Sequence, residues 1–116
     1  MNYWPDDTIA AVATSTGKGA VAIVRLSGSQ ARSIGERMSG VTPKPRQAQV
    51  CAFRDESGEP IDRGLILYFP APRSFTGEDV IEIHGHGGTV ITEMLLACTL
   101  RFGARAAEPG EFSLRA

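Results

Sequence analysis

The residue pattern predicts an α+β fold, and three observations carry that prediction. Apolar residues alternate with period two in several short runs. Two segments instead repeat at helical spacing and end on glycine. Thirteen glycines and seven prolines in 116 residues supply more turns than a helical bundle uses. Hairpin-length turns and only two full helices argue against a parallel sheet with alternating helices. The predicted order is β-β-α-β-β-β-α, with one further edge strand available.

The elements follow in order. Thr8 to Thr14 (TIAAVAT) is a β-prone run, Gly17 to Gly19 supply a turn, and Ala20 to Leu26 (AVAIVRL) is the second strand. Its face of Ala22, Val24 and Leu26 is wholly apolar; Arg25 interrupts the other, made with Val21 and Ile23. A helix is expected from Ser29 to Met38. Ser27 or Ser29 can cap it, Ala31, Ile34 and Met38 share its inner face, and Gly40 suits a left-handed stop. TPKPR (42–46) excludes helix through two prolines. Gln47 to Arg54 and Ile61 to Phe69 are strands joined by the turn DESGEP; apolar residues on both faces of the second predict burial on both sides. After PAPRSFTG comes a strand from Glu78 to His84. The helix from Thr89 to Phe102 presents Val90, Ile91, Met94, Leu95 and Cys98 as an apolar stripe, and Gly103 stops it. Ala104 to Ala107 is the extra edge strand. EPGEFSLRA reads as a turn and the first residues of another helix, so the chain is expected to be a piece of a longer protein, with residues 1–116 forming one domain.

Twelve basic residues against 13 acidic ones give a formal charge of −1, which argues against an independent nucleic-acid binder driven by phosphate neutralisation. Cys51 and Cys98 have no metal-type spacing and read as buried free thiols, which fits a reducing compartment. No apolar run reaches the roughly 20 residues of a membrane span, and MNYWPDDTIA has no secretory pattern. The expected location is the cytoplasm.

Glu82 is the residue with most chemical promise, because acids are depleted in mid-strand positions. Two readings stand: a carboxylate on a solvated strand face, or a pocket carboxylate accepting two parallel N–H bonds from an amidine-like ring edge. Arg25 likewise is either an exposed or salt-bridged residue or a rigid donor fork for ligand oxygens. His84 and His86 form an H-x-H pair, but no third ligand is spaced for a metal. No metal site is assigned; His86 and its glycines are expected to shape the strand-to-helix turn. Lys18 is followed by Gly19, so GKG is not a P-loop and no nucleoside triphosphate site is expected. No nucleophile set is evident, and no catalytic residue is assigned.

Three long segments together resemble one family. DTIAAVATSTGKGAVAIVRLSG, SFTGEDVIEIHGHGG and PGEFSLRA are similar, in this order, to motifs of the N-terminal domain of the tRNA-modifying GTPases MnmE, also called TrmE. Glu108 departs from the pattern, where the family usually has Arg. The resemblance implies a half-unit of the aminomethyltransferase-type folate-binding fold, completed by homodimerisation. It implies a bound one-carbon tetrahydrofolate, 5-formyl or 5,10-methylene, contacted by Arg25 and Glu82, with the pterin edge as the amidine-like partner of Glu82. Both are expected to line one pocket at the dimer seam, close to the HGHGG turn. A further folate-contacting Lys is expected beyond Ala116.

For the whole protein the resemblance implies a GTPase that modifies C5 of the wobble uridine of tRNA, with the flavin- and NADH-bearing partner MnmG. GTP, Mg²⁺ and K⁺ would belong to its GTPase domain, whose sequence is absent here. Two other functions compete with the binding module. A stand-alone folate-dependent aminomethyl- or formyltransferase would need a second homologous half. An RNA-binding module would need a basic, aromatic-bearing surface.

Overall fold

The computed structural model describes residues 7–13 and 21–116. The glycine turn expected at 17–19 and the first six residues lie outside them. In chain order the elements are β1 (Ile9–Val12), β2 (Val21–Ser27), α1 (Ala31–Ser39), β3 (Gln49–Arg54), β4 (Pro60–Phe69), β5 (Val80–His86), α2 (Thr89–Arg101), β6 (Arg105–Ala106) and α3 (Glu111–Arg115). The strands form one sheet in the order β3-β4-β5-β2-β1-β6. All neighbours pair antiparallel except β1 with β6. The mixed α+β class is the expected one, and the extra strand shrinks to two residues.

Pleat alternation sorts the sheet into two faces. Ala22, Val24 and Leu26 of β2, Ile81 and Ile83 of β5, Ile66 and Tyr68 of β4, and Cys51 and Phe53 of β3 point to one side. There all of these but Ala22 join Ile34 and Met38 of α1 and Leu95 and Cys98 of α2 in a single core. Each fully buried aliphatic side chain contributes about 1.5–3 kcal/mol relative to exposure. Gly35 lets α1 sit close, since a Cβ there would lie 3.1 Å from Ile66 and 3.2 Å from Ile81.

The opposite face is left uncovered by both long helices. Across it run Val50–Leu65–His84–Ile23 and, next along, Leu67–Glu82–Arg25–Ala11. Leu65, Leu67 and Phe69 are therefore half-buried, which corrects the expectation that this strand is buried on both sides. Among the described residues no second layer covers its other apolar row.

Two local expectations also change. The start of α1 is capped neither by Ser27 nor by Ser29: Thr8 Oγ1, from the segment leading into β1, accepts the Gln30 N–H at 2.8 Å. Gly28 makes this approach possible. Its φ is 137°, and a Cβ there would sit 2.7 Å from the Thr8 Cα. The C-terminal stop at Gly40 is left-handed as expected, at φ 72°. In α2, Leu95 and Cys98 are buried, but Val90 and Met94 of the expected stripe face outward, at 68% and 43% exposure. That helix is apolar on more than one side, so its periodicity did not single out the packed face.

Cys51 and Cys98 are buried free thiols, and burial raises both to about 11. No helix among the described residues is long and apolar enough to cross a membrane.

Candidate functional site

Arg25 and Glu82 lie 57 positions apart in sequence, yet β2–β5 pairing makes them direct cross-strand neighbours on the open face. The Arg25 Nε and Nη2 both donate to Glu82 Oε2, at 3.0 and 2.9 Å. His84, two residues along β5 and so on the same face, meets Glu82 Oε1 through Nε2 at 2.9 Å. Its partner is a carboxylate oxygen, so the ring carries a proton on Nε2. The bond from His84 lowers the Glu82 pKa, partial burial opposes the shift, and the Arg25 bonds add to the lowering. Glu82 is therefore an ionised, acceptor-only group at neutral pH.

The triad is half-buried, with side-chain exposures of 30% for Arg25, 17% for Glu82 and 23% for His84. A carboxylate offers about four lone-pair positions. Among the described residues three are taken, two on Oε2 and one on Oε1, which leaves one acceptor position on Oε1.

Two hollows meet at Arg25. The first, about 440 Å³, has Glu82, Val80 and Phe69 along its floor and Arg46, Arg73, Ser74 and Phe75 around it. The Arg25 guanidinium carbon stands 5.7 Å from the centre of the Phe75 ring, which is 55% exposed. The second, about 390 Å³, lies between Ala11–Ala13 and residues 107–113. Both predicted binding residues thus line one hollow. It lies at the Val80 end of β5, beside the 73–75 loop, while Glu82 bonds His84, the first residue of the HGHGG segment.

His84 and His86 part company in their partners. The His86 Nδ1 bonds Asp62 Oδ1 at 2.8 Å, and its backbone N–H donates to Asp62 Oδ2 at 2.6 Å. Among the described residues no group of three His, Cys, Asp or Glu side chains is placed to hold a metal ion.

A second ionic cluster escaped the sequence reading. Glu111, at the start of α3, accepts from Arg105 Nη1 and Nη2 at 3.0 and 2.6 Å and from Arg115 Nη2 at 3.4 Å. Arg105 also reaches Asp7, and Arg115 reaches Glu78, to which Ser27 donates at 2.8 Å. The Glu111 and Arg115 side chains are 0% exposed. The Arg105 bonds hold the Glu111 pKa below its ordinary value. Its sequence signal was the i,i+4 spacing of Glu111 and Arg115, visible only once PGEFSLRA is taken as a helix in full.

Comparison with known proteins extends these observations. The family described as GTP-binding protein TrmE N-terminus matches residues 8–116. The chain is 57% identical over 110 residues to a tRNA modification GTPase MnmE of Nitrosococcus oceani, covering 95% of this chain and 24% of that protein. Identity is 53% over 112 residues to the protein of the same name in Azoarcus sp., covering 97% and 25%. It is 53% over 116 residues to that of Coxiella burnetii, covering 100% and 25%. The chain spans about a quarter of the length of these relatives. On this coverage the chain belongs to the TrmE N-terminal family, the N-terminal region of the tRNA modification GTPases MnmE.

Proposed function

We propose that this domain binds a one-carbon tetrahydrofolate, 5-formyl or 5,10-methylene, and pairs two chains. In this reading it is a half-unit of the aminomethyltransferase-type fold, completed by a second copy. It serves a longer cytoplasmic GTPase that acts with MnmG on C5 of the wobble uridine of tRNA. The observation that carries the folate reading is the half-buried Arg25–Glu82 pair set into an aromatic-walled hollow on the open sheet face.

The residues present fit the ligand. A volume of about 440 Å³ lies within the usual range for small-molecule sites, roughly 300–1,000 Å³. Glu82 is ionised and offers an open acceptor position on Oε1, and the exposed ring of Phe75 offers a stacking surface. A pterin edge with two parallel N–H groups needs both oxygens of Glu82. It takes the open position on Oε1 and displaces one Arg25 bond from Oε2. Arg25 is then free to donate to a ligand carbonyl, formyl or carboxylate oxygen. The dimer reading rests on the uncovered apolar rows, where Ile23, Leu65 and Leu67 are only half-buried and Val21 and Val50 are exposed. A two-fold contact would use the same patch on both copies.

Calorimetry with 5-formyltetrahydrofolate tests the ligand: saturable binding is expected, and no heat at millimolar ligand would contradict it. Light scattering tests the pairing, with a mass about twice the 12.4 kDa of the chain expected at micromolar concentration.

A further inference from the structure

The rim of the Glu82 hollow collects charge that the floor does not use. Arg25, Arg46 and Arg73 face it against the single carboxylate of Glu82, in a chain whose formal charge is −1 overall. Arg25 is committed to Glu82, but neither Arg46 nor Arg73 has a carboxylate within 4.0 Å among the described residues. A solvated surface arginine needs no special backbone, and Arg46 has one. Its φ is 61°, the only positive value among the described non-glycine residues. Its backbone N–H is held by the Tyr68 carbonyl at 2.8 Å. Its guanidinium packs 5.8 Å from the centre of the Phe69 ring and donates to the Arg73 carbonyl. Sparsely populated backbone states of this kind concentrate at binding sites, where the surroundings hold them. Arg46 is thus held over the hollow and tied to the Arg73 backbone, and among the described residues neither guanidinium has a carboxylate partner.

We infer that Arg46 and Arg73 form a subsite for the carboxylate-bearing tail of the ligand, and that they favour a folate with several γ-glutamyl carboxylates over one with a single glutamate. This rests on the folate reading of the hollow. The ring edge sits at Glu82, and the tail leaves over Phe69 toward the two arginines. Each guanidinium supplies a planar donor fork that matches a carboxylate, and each added glutamate brings one more. Because the rim is exposed, the contacts are individually weak and screened by salt.

The test titrates 5-formyltetrahydrofolate as the monoglutamate and as the triglutamate into this chain, at about 50 mM and 500 mM salt. Wild type should bind the triglutamate about tenfold more tightly at low salt, given two exposed charge pairs, and the ratio should shrink at high salt. Arg46→Gln and Arg73→Gln should each weaken triglutamate binding more than monoglutamate binding, so that the ratio falls, with the apo melting temperature unchanged. Arg32→Gln, on the helix side of the sheet, should leave the ratio intact. Equal affinity of wild type for the two ligands would overturn the tail subsite and leave the folate reading standing. Binding of neither ligand would overturn both. A ratio preserved in both rim variants would assign the preference to other residues and overturn this inference.

Discussion

Among the described residues, the Arg25 cluster and the Arg105 cluster both pair arginine with glutamate, and they differ in access to water. In the Arg105–Glu111–Arg115 cluster, Glu111 and Arg115 are wholly buried, and the cluster ties α3 to the segments around Asp7 and Glu78. In the Arg25–Glu82–His84 cluster every member keeps between 17% and 30% of its side-chain surface. A buried pair that loses one partner strands the other without solvent. A half-exposed pair can trade a partner for water or for a ligand at small cost. The first arrangement suits a structural clamp, and the second suits an exchangeable site.

Breaking the buried cluster should produce the largest effect. Glu111→Gln leaves Arg105 and Arg115 facing a neutral amide, and the loss should be about 3 kcal/mol, a drop in melting temperature on the order of 10 °C. A thermal melt checks this; a drop below about 2 °C would remove the clamp from the account. Next in size is the exchangeable site. Arg25→Ala should weaken 5-formyltetrahydrofolate binding about ten- to a hundredfold, and Arg25→Lys should recover only part of it, since the planar fork is lost. Calorimetry of the two variants against wild type reads both.

Acid should separate the clusters further. Glu82 and Glu111 both titrate below their ordinary value when folded. The unfolded chain then binds more protons than the folded one in the acid range. The stability these groups supply is present above the unfolded pKa of about 4.3 and is lost as pH falls through the folded values. Melting temperature should fall as pH drops from about 5 toward 3. The slope should flatten in Glu111→Gln, because that site no longer takes up a proton. An unchanged slope in the variant would show that Glu111 titrates as it does in the unfolded chain. The smallest effect is expected for the stability of Glu82→Gln, which should differ from wild type by about 1 kcal/mol, since the amide keeps the side-chain shape and the half-buried site stays open to water.

Much of the fold was legible in the residues, for identifiable reasons. Strand periodicity, the DESGEP turn and the glycine stop at Gly40 are local signals, and the structure follows them. Signals that depend on which elements become neighbours were not legible. The cap of α1 comes from Thr8, 22 positions before Gln30. The packed face of α2 depends on where the sheet lies, and a helix apolar on several sides does not report that. Arg25 and Glu82 each stood out as charges within apolar strands. Their contact depends on strand order and register, which period-two alternation leaves open. Glu111 and Arg115 drew no attention because the last residues were read as a turn and the mere beginning of a helix. Burial there is set by Arg105 and Glu78, which lie in other segments.

The most direct test compares wild type with Glu82→Gln by calorimetry against 5-formyltetrahydrofolate, with melts of both proteins in the absence of ligand. The substitution keeps the side-chain shape and replaces one acceptor oxygen with a donor that faces the ligand's donors. A charge-assisted bond is worth roughly 1.5–3 kcal/mol, so affinity should fall about ten- to a hundredfold while the melting temperature stays within a few degrees. Equal affinities, or a melting temperature that collapses without ligand, would contradict the account and leave Glu82 as a strut of the sheet.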